Sequence, residues 1–142
     1  MNEAHARWID LPHAQYEDGG VLTAIEAERD IPFAIRRAFY MHATPPGIER
    51  GGHAHSDTRQ ILIPVAGELS VELSDGAETR TFRLSDPNRG LYMPPMTWVR
   101  LYDFSPGAVC LVLADTHYDR SKSLRTWNDF LRARAGGPRC PP

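Results

Sequence analysis

The chain has 142 residues, 42% of them hydrophobic and 24% charged, the size of one ordinary globular domain with a single substantial core. A formal net charge of -2, a pI near 6.3 and the lack of a lysine or arginine block argue against a nucleic-acid or membrane-surface partner. No apolar leader and no apolar run of about 20 residues is present, so neither a signal peptide nor a transmembrane helix is expected, and the cytoplasm is the expected compartment.

Short runs rich in Val, Ile, Leu, Thr and aromatics, punctuated by turn residues, predict an all-β sandwich or barrel. In chain order the strands are expected near Val21–Glu28, Ala34–His42, Arg59–Val65, Glu68–Ser74, Thr79–Leu84, Gly90–Met93, Thr97–Phe104 and Val109–Thr116. "SDGAE", "SDPNRG" and "FSPGA" mark the reversals, the hairpin at Asp75-Gly76 most clearly. Leu124, Trp127, Phe130 and Leu131 share one helical face, which predicts a short terminal helix capped by Ser121 or Ser123 and docked on the barrel through Trp127 and Phe130. Residues 1–135 are read as one domain and 136–142, "GGPRCPP", as a disordered tail. Of the two cysteines, Cys110 lies in the apolar run "AVCLVLA" and Cys140 in that tail, so no disulfide is expected.

The chemistry concentrates in "GGHAHSDTRQILIPVAG", Gly51 to Gly67. On an extended chain His53 and His55 point to the same face, a geometry suited to chelation. Their spacing to Gln60 and Gly67 resembles the first motif of the cupin superfamily, whose metal-binding members place a glutamate at the third position and a histidine in a second motif. Here the third position is Gln60, and "GLYMPPMTWV" puts Val99 where the last ligand would stand. Two imidazoles without the anionic ligand make a poor divalent-metal site, so no metal is expected. A neutral imidazole pair can instead take and return a proton near neutral pH, although each ring could also simply hydrogen-bond backbone in the barrel interior.

The order "IPFAIRRAFYMHATPPGIERGGHAH", "QILIPVAGELSVELSDG" and "GLYMPPMTWVRLYDFSPGAVCLVLADTHYDRS" resembles the nucleotide-sugar 3,4-ketoisomerase family, most specifically in the "RGxHAH" signature at Arg50 to His55. The resemblance covers about Asp18 to Phe130. It implies a jelly-roll cupin barrel, a homodimer with exchanged N-terminal strands, no cofactor, and conversion of dTDP-4-keto-6-deoxyglucose to its 3-keto isomer, on the way to 3-amino sugars of bacterial glycans and antibiotics. His53 is then the primary base, with His55 as its partner or as the group that stabilises the enediolate. Tyr40 is a candidate to orient or donate to sugar oxygens, or else a barrel aromatic. Gln60 is a candidate to hydrogen-bond a sugar hydroxyl or hold a histidine tautomer. Arg50 and Arg100 are candidates for the diphosphate, and Trp98 for stacking on the base. Arg37 is a further candidate for ligand contact, with a solvated role as the alternative.

The chain also departs from that family. Ser56 stands where a lysine usually follows "HAH", Gly19-Gly20 stands for an Arg-Gly, and Val99 stands where an Arg or His bears on the face of C4 protonation. Of the usual run before the terminal helix, "SKSLR" keeps Arg125. Asp115, His117 and Tyr118 are given no place in the site. Competing expectations are a 3,5-epimerase of the same substrate, a non-catalytic dTDP-sugar binding cupin and, last, a metal-dependent dioxygenase.

Overall fold

The computed structural model describes residues 4–136. Two five-stranded antiparallel sheets face each other. The first has the order β1 (Arg7–Asp10), β9 (Arg89–Met93), β6 (Gln60–Ala66), β11 (Val109–Ala114), β4 (Arg37–His42). The second runs β12 (Ser123–Leu124), β5 (Arg50–His55), β10 (Trp98–Tyr102), β7 (Leu69–Ser74), β8 (Thr79–Leu84). A separate hairpin pairs β2 (His13–Gln15) with β3 (Val21–Thr23). This all-β architecture, with one α-helix near the end among the described residues, is the cupin-type sheet fold expected.

Alternation along the strands supplies the core between the sheets: Leu62, Leu91, Met93 and Val112 from the first sheet meet Leu69, Val71, Leu73, Val99 and Leu101 from the second. The first sheet is buried on its outer face as well. Ile61, Ile63, Tyr92 and Leu113 pack there under Leu11, Ile31 and Phe33 of the N-terminal segment. Burial on both faces explains why β6 reads as a continuous apolar run rather than an alternating one.

The eight predicted strands all appear, most within two residues of their expected ends. The exceptions are at the N-terminal side. Val21–Glu28 is a strand only over β3, and Ala34–His42 begins at Arg37, because residues 24–36 serve as an irregular cover whose Ile25, Ile31, Phe33 and Ile35 dock on the first sheet. Strands β1, β2, β5 and β12 were not anticipated; they are short, or interrupted by glycine or polar residues. The Asp75-Gly76 hairpin is as expected, with Asp75 Oδ1 accepting from the backbone N–H groups of Ala77 and Glu78, each at 2.8 Å, and Gly76 at φ +97°.

The helix α1 spans Trp127–Gly136. Leu124 belongs instead to β12, and the cap is neither Ser121 nor Ser123: Thr126 Oγ1 accepts from the Asp129 N–H at 3.1 Å, while Ser123 pairs with His55 across strands. Docking follows the expected aromatics. Phe130 is fully buried, and Trp98, Trp127 and Phe130 form a three-ring cluster with centroids 5.3 to 5.7 Å apart. Cys110 is fully buried and burial pushes its thiol up to about 12, so it is an inert core group. Cys140 and the rest of the predicted tail beyond Gly136 lie outside the described residues.

Truncating the helix anchor should therefore be costly. Phe130→Ala is expected to lower unfolding stability by about 3–5 kcal/mol, read as a shift of the urea midpoint.

Candidate active site

Strand β5 is the source of the site. Gly51, His53 and His55 project to its inner face, and Ala54 between the histidines is fully buried on the other. Its pairing with β10 contains a bulge: Val99 stands opposite His53, but Arg100 already stands opposite Gly51. Gly51 and Gly52 carry the bulge at φ +88° and +76°, and a Cβ on Gly51 would come within 2.6 Å of the Val99 carbonyl oxygen. On its other side β5 pairs with β12, in the register Ser123 to His55 and Leu124 to Ala54.

The inner faces enclose a cavity of about 380 Å³. His53 and His55 line it with ring centroids 4.9 Å apart. The facing sheet contributes Arg37, Phe39 and Met41 of β4, Gln60 and Leu62 of β6, Met93 and Val112. Val99 and Leu101 of β10 complete the walls, and Tyr118 and Arg125 lie at the lining from the segment that leads into and out of β12.

Of the residues singled out from the sequence, His53, His55, Gln60, Val99 and Arg37 thus come together. Arg50, Arg100, Trp98 and Tyr40 do not. Tyr40 alternates out of register with Arg37, Phe39 and Met41; it is 63% exposed and rests against the His42 ring. Trp98 and Arg100 flank Val99 and so face away from the cavity. Trp98 is taken up by the helix cluster, and Arg100 donates to Glu49 at 2.6 Å and to Glu72 at 3.3 Å while lying over Tyr102. Arg50 is exposed and donates to its neighbour's carbonyl, Glu49 O.

Tyr118 and Arg125 are the residues that sequence reading left without a role. The Arg125 Nη2 donates to the Tyr118 hydroxyl at 3.2 Å, and the Arg37 guanidinium lies over the rings of Phe39 and Tyr118 at 5.2 and 5.4 Å. Among the described residues neither arginine is paired with a carboxylate, in contrast to Arg59, Arg83 and Arg100. The only signal for Arg125 was its match to the family pattern, because the β12 pairing that brings it to His53 has too short a sequence to read.

Two buried polar atoms lack a protein partner here, Nδ1 of His53 and Nε of Arg37. Buried groups of this kind are where a ligand's oxygens find hydrogen bonds. Burial lowers the pKa of His53, and the Arg125 charge lowers it further, with the residue's own backbone opposing. His55 is lowered to about 4 by burial, then by His53, Arg37 and Arg125, with Asp57 opposing. Both shifts favour the neutral ring, the form able to accept a proton. As a metal site the donor set is poor: two imidazoles and an amide, with no group of three or more His, Cys, Asp or Glu among the described residues.

Residues 4–135 match the family described as FdtA: WxcM-like, C-terminal. The TDP-4-oxo-6-deoxy-alpha-D-glucose-3,4-oxoisomerase of Aneurinibacillus thermoaerophilus is 38% identical over 113 residues, covering 80% of this chain and 81% of that protein. The sugar 3,4-ketoisomerase QdtA of Thermoanaerobacterium thermosaccharolyticum, solved in complex with TDP, superposes with a TM-score of 0.88 at 33% identity, over 92% of this chain and 94% of that one. A histidine-to-asparagine variant of that enzyme, solved with TDP-4-keto-6-deoxyglucose, superposes with a TM-score of 0.88 at 32% identity, over 91% and 93% of the two chains.

The electrostatics of the pair can be checked directly. Both pKa values are lowered from the ordinary imidazole value of 6.5. NMR titration is expected to show neither histidine midpoint at or above 6.5, with His55 protonating near 4. Arg125→Ala should raise both midpoints.

Proposed function

The chain belongs to the FdtA, WxcM-like C-terminal family and is a sugar-nucleotide 3,4-ketoisomerase, and we propose that it works on dTDP-4-keto-6-deoxyglucose by proton transfer through the His53–His55 pair without a metal or other cofactor. The observation that carries this reading is two neutral imidazoles side by side in a cavity rimmed by two unpaired arginines. The volume is within the range of about 300–1,000 Å³ usual for small-molecule sites.

Moving the ketone from C4 to C3 requires a base for the C3 proton, a donor to the developing enediolate oxygen, and a proton for C4. His53 and His55 supply the proton traffic, with His53 as the primary base. Gln60, 4% exposed on the wall across from them, holds a sugar hydroxyl without adding charge. Arg37 and Arg125 take the diphosphate, because Arg100 already has carboxylate partners and Arg50 does not line the cavity. Tyr118 orients Arg125 through its hydroxyl. The proposed pathway is deoxyamino-sugar biosynthesis, including that of antibiotics, where a new 3-ketone would be the substrate of an amination.

A second copy is part of the proposal. Tyr16, Val21 and Leu22 of the β2–β3 hairpin and Phe39 and Tyr40 of β4, the outer strand of its sheet, are exposed apolar groups that a homodimer with exchanged N-terminal strands would cover. Among the described residues no helix is long and apolar enough to cross a membrane, and the cytoplasm is the proposed compartment.

Incubation with dTDP-4-keto-6-deoxyglucose in deuterated water should introduce deuterium into the ring and yield the 3-keto sugar by NMR; neither exchange nor product would refute the reading. His53→Asn and His55→Asn are each expected to lower kcat by about 10²–10⁴-fold while the Kd for TDP changes little, since the lost group acts in the transition state. Sedimentation is expected to give the mass of a dimer, and Leu22→Asp to shift it toward monomer.

A further inference from the structure

The rim of the cavity needs an anchor that its own residues do not supply. Between β11 and β12 the chain runs as a strap that brings Tyr118 to the lining, and residues 117–122 of it are all exposed. With no buried side chain in that stretch, its course is set at its two ends. Tyr118 in turn joins the two arginines of the rim: its hydroxyl accepts from Arg125 Nη2 at 3.2 Å, and the Arg37 guanidinium lies over its ring at 5.4 Å.

Both ends of the strap are tied to one loop, residues 56–59. At the far end the Ser56 N–H donates to Lys122 O at 2.9 Å. The near end is held more densely. Asp115 Oδ1 accepts from the Arg59 backbone N–H and Asp115 Oδ2 from Arg59 Nε, each at 2.8 Å. The Asp115 N–H donates to Arg59 O at 3.1 Å, and the hydroxyls of Thr58 and Thr116 are 2.7 Å apart. The same guanidinium reaches a third segment: Arg59 Nη1 donates to Pro32 O at 3.1 Å, and the group lies 5.7 Å from the ring of buried Phe33 in the N-terminal cover. Arg37, Ala114 and Gln60 form one row across β4, β11 and β6. Arg59 and Asp115 follow that row on the opposite face of the sheet, where Phe33 packs, and so stand directly behind the rim.

We propose that Arg59 and Asp115 are positioning residues for anion binding: their ion pair knots the N-terminal cover, the loop before β6 and the exit of β11 at one point, and so holds Arg37, Gln60 and Tyr118 in the geometry that receives the diphosphate. This deepens the ketoisomerase reading and rests on its assignment of Arg37 and Arg125 to the diphosphate. Each knotted segment leads within a few residues to one of those groups: Pro32 to Arg37, Arg59 to Gln60, Asp115 to Tyr118. The Asp115 side chain is 13% exposed, so the pair is not a solvated surface bridge whose geometry wanders. One planar guanidinium serves the carboxylate through Nε and the Pro32 carbonyl through Nη1 at once, a fixed fork that a lysine ammonium does not offer.

The test is the Kd for TDP, read by calorimetry on Arg59→Ala, Asp115→Ala and the double variant at a temperature where circular dichroism shows each folded. Charge alone gives the two single variants opposite signs: losing Arg59 weakens anion binding, and losing Asp115 strengthens it by freeing a cation. A positioning role makes both weaken it, by about tenfold, with the double variant no weaker than the singles because both break one device. With dTDP-4-keto-6-deoxyglucose, KM should rise by a similar factor while kcat stays within about threefold. Asp115→Asn keeps the shape and the bond from the Arg59 backbone N–H, and carries the same sign prediction should the alanine variant fail to fold. Arg83→Ala, which breaks the pairs to Glu68 and Asp103, controls for general loss of stability and is expected to leave the Kd unchanged. Unchanged or tighter binding in the Asp115 variants overturns the proposal, as does a fall in kcat at unchanged KM or an equal weakening in Arg83→Ala. Arg125→Ala separates the proposal from the reading beneath it. Weaker TDP binding there, with unchanged binding in the Asp115 variants, removes the positioning role and leaves the diphosphate assignment standing. Unchanged TDP binding in Arg125→Ala removes both.

Discussion

Strand β5 is held from both sides, and the candidate site depends on that. Between β10 and β12 its backbone is paired on each edge, and further bonds run from the Ser56 N–H to Lys122 O at 2.9 Å and from the Met96 N–H to His55 O at 2.8 Å. A strand with one free edge would be able to twist or slip, and a slip of one residue would turn both histidines out of the barrel. The Gly51-Gly52 bulge bends the strand at its start without disturbing the alternation that aims His53 and His55. The helix contributes at one remove: docked on Trp98, it fixes the chain just after β12, and Arg125 lies in that fixed stretch. Trp98 and Val99 thus show one strand with two tasks, the outer face clamping the helix and the inner face walling the cavity.

The charges in the site reinforce one another. Several arginines are tied to carboxylates, as Arg59 is to Asp115 at 2.8 Å, Arg83 to Glu68 and Arg100 to Glu49. Arg37 and Arg125 are left unpaired beside a cavity, an arrangement that an anionic ligand would stabilise. The same two cations act against protonation of His55, and Arg125 against that of His53. An uncompensated positive rim thus favours the imidazole form that can accept a proton, and under the proposed function it would also attract a diphosphate.

Much of this was legible in the sequence where periodicity or turn chemistry is local. The alternating runs of β7 and β8, the Asp75-Gly76 turn and the paired histidines all carry their own signals within a few residues. The inward set His53, His55, Gln60 and Val99 followed from motif spacing. Tyr40, Trp98 and Arg100 were chosen for residue type and nearness in sequence, and strand alternation turns each away from the cavity, because each is adjacent in sequence to a lining residue. Tyr118 and Arg125 were missed for the opposite reason. A two-residue strand, β12, returns the chain to β5 from a distance in sequence that no local pattern reports. The irregular N-terminal cover reads as strand because burial against a sheet selects the same β-branched and aromatic residues that a strand does.

Gln60 bears both on metal binding and on the proposed proton transfer. It occupies a buried position on the wall across from the histidines, where a carboxylate would complete a chelating set. A carboxylate there would also interact with Arg37 and with both imidazoles, at contact distance by on the order of a few kcal/mol even with partial screening. It would draw the arginine away from an anionic ligand and raise the histidine pKa values, reversing the depression that burial and the arginines produce. The neutral amide keeps the hydrogen-bonding capacity of that position and removes its charge. A poor chelating set and the absence of a charge that would oppose the depression of the histidine pKa values are therefore two consequences of one neutral amide at position 60.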